Sequence, residues 1–176
     1  IESNKVAGGG VFVHYGDITD KSVRVYMNVE VGNATASSSK ANVLARIKDR
    51  NGKIVKTVKQ TLVINANDES TAILQTVITH PQLWSPECPY LYNVEFRVTV
   101  DGKVVDGGMI HAGIRKAEFR GKDGFWLNGR PYHQLIGGNR HQDFALVGNA
   151  VPNSQQWRDA KRLRDAGMTI IRAAHY

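Results

Sequence analysis

The first two thirds of the chain repeat apolar side chains with a period of two. Between Ser22 and Gly32, Val or Met occupies every second position, and Arg, Tyr, Asn and Glu lie between them. This alternation predicts a strand that buries one face against a second layer of the protein. Similar reasoning predicts six further strands, at residues 11–15, 43–47, 53–64, 71–79, 90–100 and 103–114.

Turn signals separate these strands. Asn51-Gly52 and Asp101-Gly102 are pairs of residues that favour positive φ angles, so each pair predicts a tight hairpin. About seven short strands joined by turns are typical of immunoglobulin-like or fibronectin-like sandwiches. A lone Cys88 cannot supply the disulfide of a true immunoglobulin domain. We therefore predict a mainly β fold class, with an immunoglobulin-like, seven-stranded β-sandwich at residues 1–115.

The last third of the chain changes its pattern. We predict a short strand over Tyr132–Gly137, a sharp turn at Gly137-Gly138, and an apolar strand over Met168–Ala174. Because connections between parallel strands are right-handed, the two strands are expected side by side in a strand–helix–strand unit. Residues 116–176 are therefore predicted to be the N-terminal fragment of a TIM-type (β/α) barrel, which carries its active site at the C-terminal ends of the strands.

The segment between the two strands has the period of an amphipathic helix. Either Asn153 or Ser154 is expected to cap its first turn, and Gly167 to end it in a left-handed conformation. The apolar stripe of this helix is expected to consist of Trp157, Ala160, Leu163 and Ala166.

Polar residues cluster at the ends of the two predicted strands. Asn139, His141 and Asp143 follow the first strand, Arg172 lies inside the second, and His175 lies at its end. An arginine in an apolar strand is costly unless it is paired or reaches a polar cavity. Arg172 is therefore either part of a buried ion pair or a donor that faces a ligand. The five residues together are the candidate binding residues.

The sandwich segment offers weaker candidates. His14, His80 and His111 are isolated in sequence, so no catalytic constellation is predicted there. Trp84 lies in a proline-rich loop, Pro81 to Pro89, and either plugs the end of the sandwich or stacks on a sugar.

Charge and composition exclude several classes of partner. The formal net charge is +7, but the basic residues are scattered and no nucleic-acid motif is present, so no nucleic-acid partner is predicted. No apolar run is long enough for a membrane span, and no calcium-loop or cofactor motif is found. The first residue is Ile1 rather than Met, which predicts a removed upstream segment. The sequence fits a periplasmic and a cytoplasmic bacterial protein equally well.

Ordered motifs run through the chain. The last third contains Phe125-x-Leu127-Asn128-Gly129-Arg130-Pro131, Gly138-Asn139-Arg140-His141 and Arg172-x-x-His175-Tyr176. The predicted sandwich contains Leu83-Trp84-Ser85-Pro86-Glu87-x-Pro89-x-Leu91-Tyr92 and Gly113-Ile114-Arg115. The first set resembles the barrel start, and the second set the sandwich domain, of glycoside hydrolase family 2, which includes β-galactosidases, β-glucuronidases and β-mannosidases. The Asn-Arg-His form favours the β-galactosidase branch.

The resemblance implies a carbohydrate substrate, with His141, Arg172 and His175 lining the terminal-sugar subsite. Two departures, Ile136-Gly137-Gly138 before Asn139 and Ala174 before His175, leave the sugar open. The family uses two glutamates from later barrel strands for retaining hydrolysis. The sequence has no glutamate after Glu118, so the resemblance implies a fragment that is inactive alone.

The resemblance leaves more than one role open for the sandwich. We interpret the sandwich as a structural spacer; the alternative is a non-catalytic carbohydrate-binding or adhesion module. A barrel fragment with open strand edges is also expected to form homo-oligomers.

Overall fold

The computed structural model describes residues 10–174, and the chain divides into two compact units. The first unit runs up to Ala117 and also includes Leu127–Gly129. The second unit consists of Glu118–Trp126 and the chain from Arg130 onward.

Seven antiparallel strands in two sheets build the first unit. One sheet has three strands in the order β1–β2–β5, and the other has four strands in the order β4–β3–β6–β7. The strands are β1 (Val11–Gly16), β2 (Ser22–Asn33), β3 (Ser39–Lys48), β4 (Ile54–Ile64), β5 (Asp68–Thr79), β6 (Tyr92–Val100) and β7 (Lys103–Ala112).

The hydrophobic core lies between these two sheets. On β2 the alternation from Val23 to Val31 points every Val and Met inward, and each of these side chains is at most 2% exposed. From β3 the inward residues are Ala41, Val43, Ala45 and Ile47, all at most 1% exposed. The predicted seven-stranded sandwich is therefore confirmed, and the period of two was its signal.

The two predicted hairpins differ in their turns. Asp101 (φ 50°) and Gly102 (φ 78°) both adopt positive φ between β6 and β7, as a two-residue hairpin requires. In the β3–β4 connection only Gly52 does so, with φ 83°, so the prediction for Asn51 is wrong. There the Asp49 carboxylate accepts bonds from the backbone N–H groups of Asn51 and Lys53, both at 2.9 Å, and closes a longer turn.

Three short strands and a 3₁₀ turn follow the sandwich. They are β8 (Ala117–Phe119), the turn at Gly121–Asp123, β9 (Phe125–Leu127) and β10 (Arg130–Pro131), and the strands form a sheet in the order β10–β9–β8. Asn128 (φ 53°) and Gly129 (φ 78°) make the hairpin turn between β9 and β10.

A strand–helix–strand unit ends the described chain. It consists of β11 (Gly137–Arg140), α1 (Asn153–Asp165) and β12 (Ile170–Ala173), and β11 pairs with β12 in parallel. The predicted order and parallel pairing are confirmed, while membership of a barrel remains a proposal.

The first strand of this unit does not lie where the sequence predicted. Residues 132–136 are not a strand, and β11 begins at Gly137 instead. Gly137 and Gly138 make no sharp turn; neither adopts a positive φ. A Cβ on Gly137 would overlap the carbonyl of Ile170 and lie 2.8 Å from its Cγ2 atom. Glycine is therefore needed here for close approach of β12 rather than for a turn.

The helix α1 departs from its prediction at its start and on its packed face. Its N-cap is Pro152, with no side-chain cap, and the Pro152 carbonyl accepts bonds from the backbone N–H groups of Gln155 (2.9 Å) and Gln156 (3.2 Å). Neither Asn153 nor Ser154 caps it. Gly167 adopts φ 86° just after the helix, as predicted.

The buried face of α1 is not the apolar stripe. Its half-buried positions are Gln155, Gln156, Asp159 and Leu163. Of the four predicted stripe residues, only Leu163 is among them, and Trp157 is 68% exposed. An ion pair between α1 and β11 sets this face, as described below. Within residues 10–174 no helix has the length and apolarity that a membrane crossing needs.

Candidate functional site

The parallel register of β11 and β12 brings two of the candidate residues together. Asn139 is the Cα partner of Arg172, and paired residues in a sheet project to the same face. The Arg172 Nη1 atom lies 3.5 Å from the Asn139 Oδ1 atom. Both residues are exposed. The parallel pairing predicted for the two strands thus places these two candidate residues in contact.

The neighbouring Arg140 projects to the opposite face of β11. Its Nη2 atom donates a hydrogen bond of 2.6 Å to Oδ2 of Asp159 on α1. The other carboxylate oxygen, Oδ1, accepts a bond of 2.8 Å from Gln155 one helical turn earlier. Because side chains alternate along a strand, α1 lies on the face opposite Asn139 and Arg172. One face of the two-stranded sheet thus carries the helix, and the other carries the polar candidates.

The ion pair between Arg140 and Asp159 keeps the Asp159 carboxylate ionised. The hydrogen bond from Arg140 is the main cause that lowers the pKa of Asp159 below its ordinary value, with a smaller contribution from Gln155. Arg140 is therefore a positioning residue that ties β11 to α1 next to Asn139 and His141. Sequence reasoning placed Arg140 in a motif without giving it a role. The available signal was Asp159, an acidic residue on a helix that otherwise carries mainly basic charges.

Two further candidates, His141 and Asp143, lie just after the C-terminal end of β11. His141 directly follows β11 and is exposed, and Asp143 is exposed just before the turn that joins Phe144 to Gly148. His175 lies outside the described residues. The backbone N–H of Ala174 donates to the carbonyl of Arg140 at 3.1 Å, so pairing of the strands continues up to the residue before it.

Trp84 in the first unit has a packing role. A Cβ on Gly113 would lie 3.0–3.2 Å from three atoms of the Trp84 side chain, so the half-buried indole side chain packs directly on this glycine. The backbone N–H of Trp84 donates to the carbonyl of Ile114 at 2.8 Å, and the Arg115 guanidinium lies 4.9 Å from the indole centroid. This geometry favours packing over sugar stacking for Trp84.

A family model described as Glycosyl hydrolases family 2 matches residues 9–115, more than half of the chain. The chain belongs to glycosyl hydrolase family 2. Membership of family 2 agrees with the sandwich and with the motifs that surround Trp84 and Arg115.

Individual relatives extend the match beyond the sandwich. A β-galactosidase of Thermoanaerobacter pseudethanolicus is 33% identical over 140 residues, which cover 78% of this chain and 18% of the relative. A β-glucuronidase of Formosa agariphila is 28% identical over 94% of this chain and 17% of its own length. The solved structure of a putative β-galactosidase from Bacteroides fragilis superposes with a TM-score of 0.88 at 31% identity, over 95% of this chain and 25% of that one.

The chain thus spans between a sixth and a quarter of the length of these family 2 relatives. Its polar face can bind hydroxyl groups, because Arg172 donates hydrogen bonds and Asn139 both donates and accepts them. Two carboxylates of the second unit are already engaged in ion pairs, which makes them poorly suited to proton transfer. In the second unit Asp159 is paired with Arg140 and Asp165 with Lys161.

Proposed function

We propose that this family 2 chain is a fragment of a retaining, β-galactosidase-like glycoside hydrolase that acts on terminal β-linked sugars. Residues 1–115 are its sandwich domain and serve as a structural spacer, and residues 116–176 begin its catalytic barrel. The observation that carries the proposal is the contact of Arg172 with Asn139 on the face opposite α1. In a (β/α) barrel that face is the inner one, and polar residues near the strand ends form the site.

The proposed sugar subsite consists of five residues: Asn139, His141, Asp143, Arg172 and His175. Amide, imidazole, carboxylate and guanidinium groups together offer both donors and acceptors to the hydroxyls of a sugar ring. The helix holds the subsite indirectly, because the bond between Arg140 and Asp159 fixes the strand that carries Asn139.

Retaining hydrolysis needs a carboxylic acid that protonates the leaving oxygen and a carboxylate nucleophile about 5 Å away. The sequence contains no glutamate after Glu118, and two of the four aspartates that follow it are engaged in ion pairs with Arg140 and Lys161. The chain therefore binds part of a sugar but lacks the two glutamates that the family uses for the covalent step.

We expect no steady turnover by this chain on aryl β-galactosides, β-glucuronides or β-mannosides. Positioning residues alone supply neither the proton transfer nor the nucleophile. The measurement is release of the aryl group over hours, with the T. pseudethanolicus β-galactosidase and the F. agariphila β-glucuronidase as positive controls. Turnover that stays with the chain through successive purification steps would contradict the proposal.

We also expect the chain to self-associate through its second unit. Large apolar side chains are exposed there: Ile136 at 57%, Trp157 at 68%, Ile170 at 45% and Ile171 at 38%. Exposed apolar strands recruit other chains. Sedimentation velocity over a concentration series should show a rising average mass, and Trp157→Gln with Ile171→Gln should reduce it. A strict monomer at every concentration would contradict the prediction of self-association.

A further inference from the structure

The open side of the sandwich contains a cleft that the proposed function does not use. It lies between the edge strands β1 and β7 and the segment that follows β7, and its volume is about 570 Å³. Pockets of roughly 300–1,000 Å³ take small-molecule ligands. We infer that this cleft, lined by Tyr15, His111, Arg115 and Lys116, binds a carboxylate-bearing molecule about the size of a monosaccharide.

The charge of the lining selects for an anion. Arg115 and Lys116 contribute cationic groups, and His14 and His111 add imidazole rings. Among the described residues, no Asp or Glu lines the cleft. A concave site with one sign of charge concentrates ligands of the opposite sign.

The central cation is held in place before any ligand arrives. The Arg115 guanidinium lies 4.9 Å from the centroid of the Trp84 indole. The backbone of Trp84 is fixed at both polar groups, because its amide N–H donates to the Ile114 carbonyl at 2.8 Å and its carbonyl accepts a bond of 3.0 Å from Asn128 Nδ2. A planar guanidinium that is already oriented can bind a carboxylate through two parallel hydrogen bonds.

Two further polar side chains, Tyr15 and His111, line the cleft. Burial raises the pKa of Tyr15 to about 12, although Arg115 acts in the opposite direction. The Tyr15 hydroxyl is protonated at neutral pH, as in any tyrosine, and a protonated hydroxyl can donate a hydrogen bond. His111 is oriented by the contact of 2.7 Å between its Nδ1 atom and Asn93 Oδ1, which leaves Nε2 as its second polar atom.

Apolar residues on the other walls fit the carbon skeleton of a small ligand. Val13, Ile18, Ile110 and Ala112 line the cleft beside the cationic groups. Every lining residue belongs to the first unit, so the inference does not depend on the barrel chemistry proposed above.

The test is an NMR titration of the ¹⁵N-labelled chain with D-glucuronate and, separately, with D-glucose. The two sugars differ at one carbon, where glucuronate carries a carboxylate. We expect glucuronate to shift the backbone amides of residues 13–15 and 110–116 in a saturable way, and glucose to leave them unchanged. Arg115→Gln should lower the affinity for glucuronate at least tenfold.

A matched control and a second variant distinguish a loss of glucuronate binding from a loss of folding. The Arg50 guanidinium lies over Tyr90 at 4.8 Å, much as Arg115 lies over Trp84, but outside the cleft. Arg50→Gln should therefore bind glucuronate as the native chain does. Tyr15→Phe removes only the hydroxyl and should weaken binding several-fold.

Three results would overturn the inference. One is glucose and glucuronate causing equal shifts, and another is Arg115→Gln retaining native affinity while folded. The third is an acetylated triglutamate peptide that binds the cleft when glucuronate does not, since the cleft would then be a docking site for an acidic protein segment.

Discussion

Gly137→Ala should break the parallel pairing of β11 with β12. An alanine Cβ would overlap the Ile170 carbonyl, with its carbon 2.7 Å away, and a backbone group in a strand cannot rotate aside as a side chain can. Overpacking of this kind costs about 3 kcal/mol, which corresponds to a roughly 100-fold loss of hydrogen-exchange protection. The probes are the N–H groups of Thr169 and Ala174, which donate to carbonyls of Ile136 and Arg140 across the pair.

Gly138→Ala is the matched control for this experiment. A methyl group on this next residue of the same strand would have no other atom within 4 Å, and the φ of Gly138 is not positive. The Gly138→Ala variant should keep native protection at Thr169 and Ala174. If both variants lose protection equally, the glycines matter for chain flexibility and the close approach of β12 is not the cause.

Leu74→Ala should destabilise the sandwich by about 2–5 kcal/mol, the usual cost of removing a buried leucine side chain beyond its Cβ. Leu74 is on β5 with 1% of its surface exposed, and it pairs across the sheet with Met27. The measurement is urea unfolding followed by far-ultraviolet circular dichroism, which reports the loss of strand structure.

The neighbouring Ile73 supplies the control. It lies on the same strand but faces outward, with 63% of its surface exposed. Ile73→Ala should change the free energy of unfolding by less than about 0.5 kcal/mol. Equal losses from the two substitutions would show that the alternation of β5 does not decide which face is buried.

The sandwich could be predicted because its signal is local. Each inward Val or Met from Val23 to Val31 is two residues from the next, and that spacing alone decides the buried face of β2. Turn chemistry is local too where two residues suffice, as at Asp101-Gly102. It failed at Asn51, because the Asp49 carboxylate closes that turn from outside the dipeptide.

The strand–helix–strand unit was harder to predict from the sequence, because the contacts that decide its structure join residues far apart in the chain. Position 137 needs a glycine because a Cβ there would overlap the Ile170 carbonyl. No residue close to Gly137 in the sequence indicates that contact. The prediction of the packed face of α1 was wrong for a similar reason. Arg140 and Asp159 are 19 positions apart, and their ion pair turns Asp159 rather than Trp157 toward β11.

For the candidate site, the sequence predicted the two parallel strands that carry Asn139 and Arg172. Asn139 and Arg172 meet because strand ends on a parallel sheet share one edge, which is a rule of topology and follows from the predicted order of elements. The roles of His141, Asp143 and His175 as sugar contacts stay predictions. The acidic Asp159 suggested a cationic partner, but the pattern of α1 did not identify Arg140 as that partner, since the contact depends on the rotation of α1 about its own axis.

We propose that Arg172 belongs to the sugar site of a family 2 catalytic barrel. The most direct test is the kcat/KM of the complete gene product on an aryl β-galactoside. The Arg172→Gln variant is compared with the control variant Lys161→Gln. Lys161 is also a cation, but it lies on α1 and is paired with Asp165. We predict turnover by the native protein, a loss of about 100-fold or more in Arg172→Gln, and native activity in Lys161→Gln. A complete product without glycosidase activity, or an Arg172→Gln variant with native kcat/KM, would contradict the account.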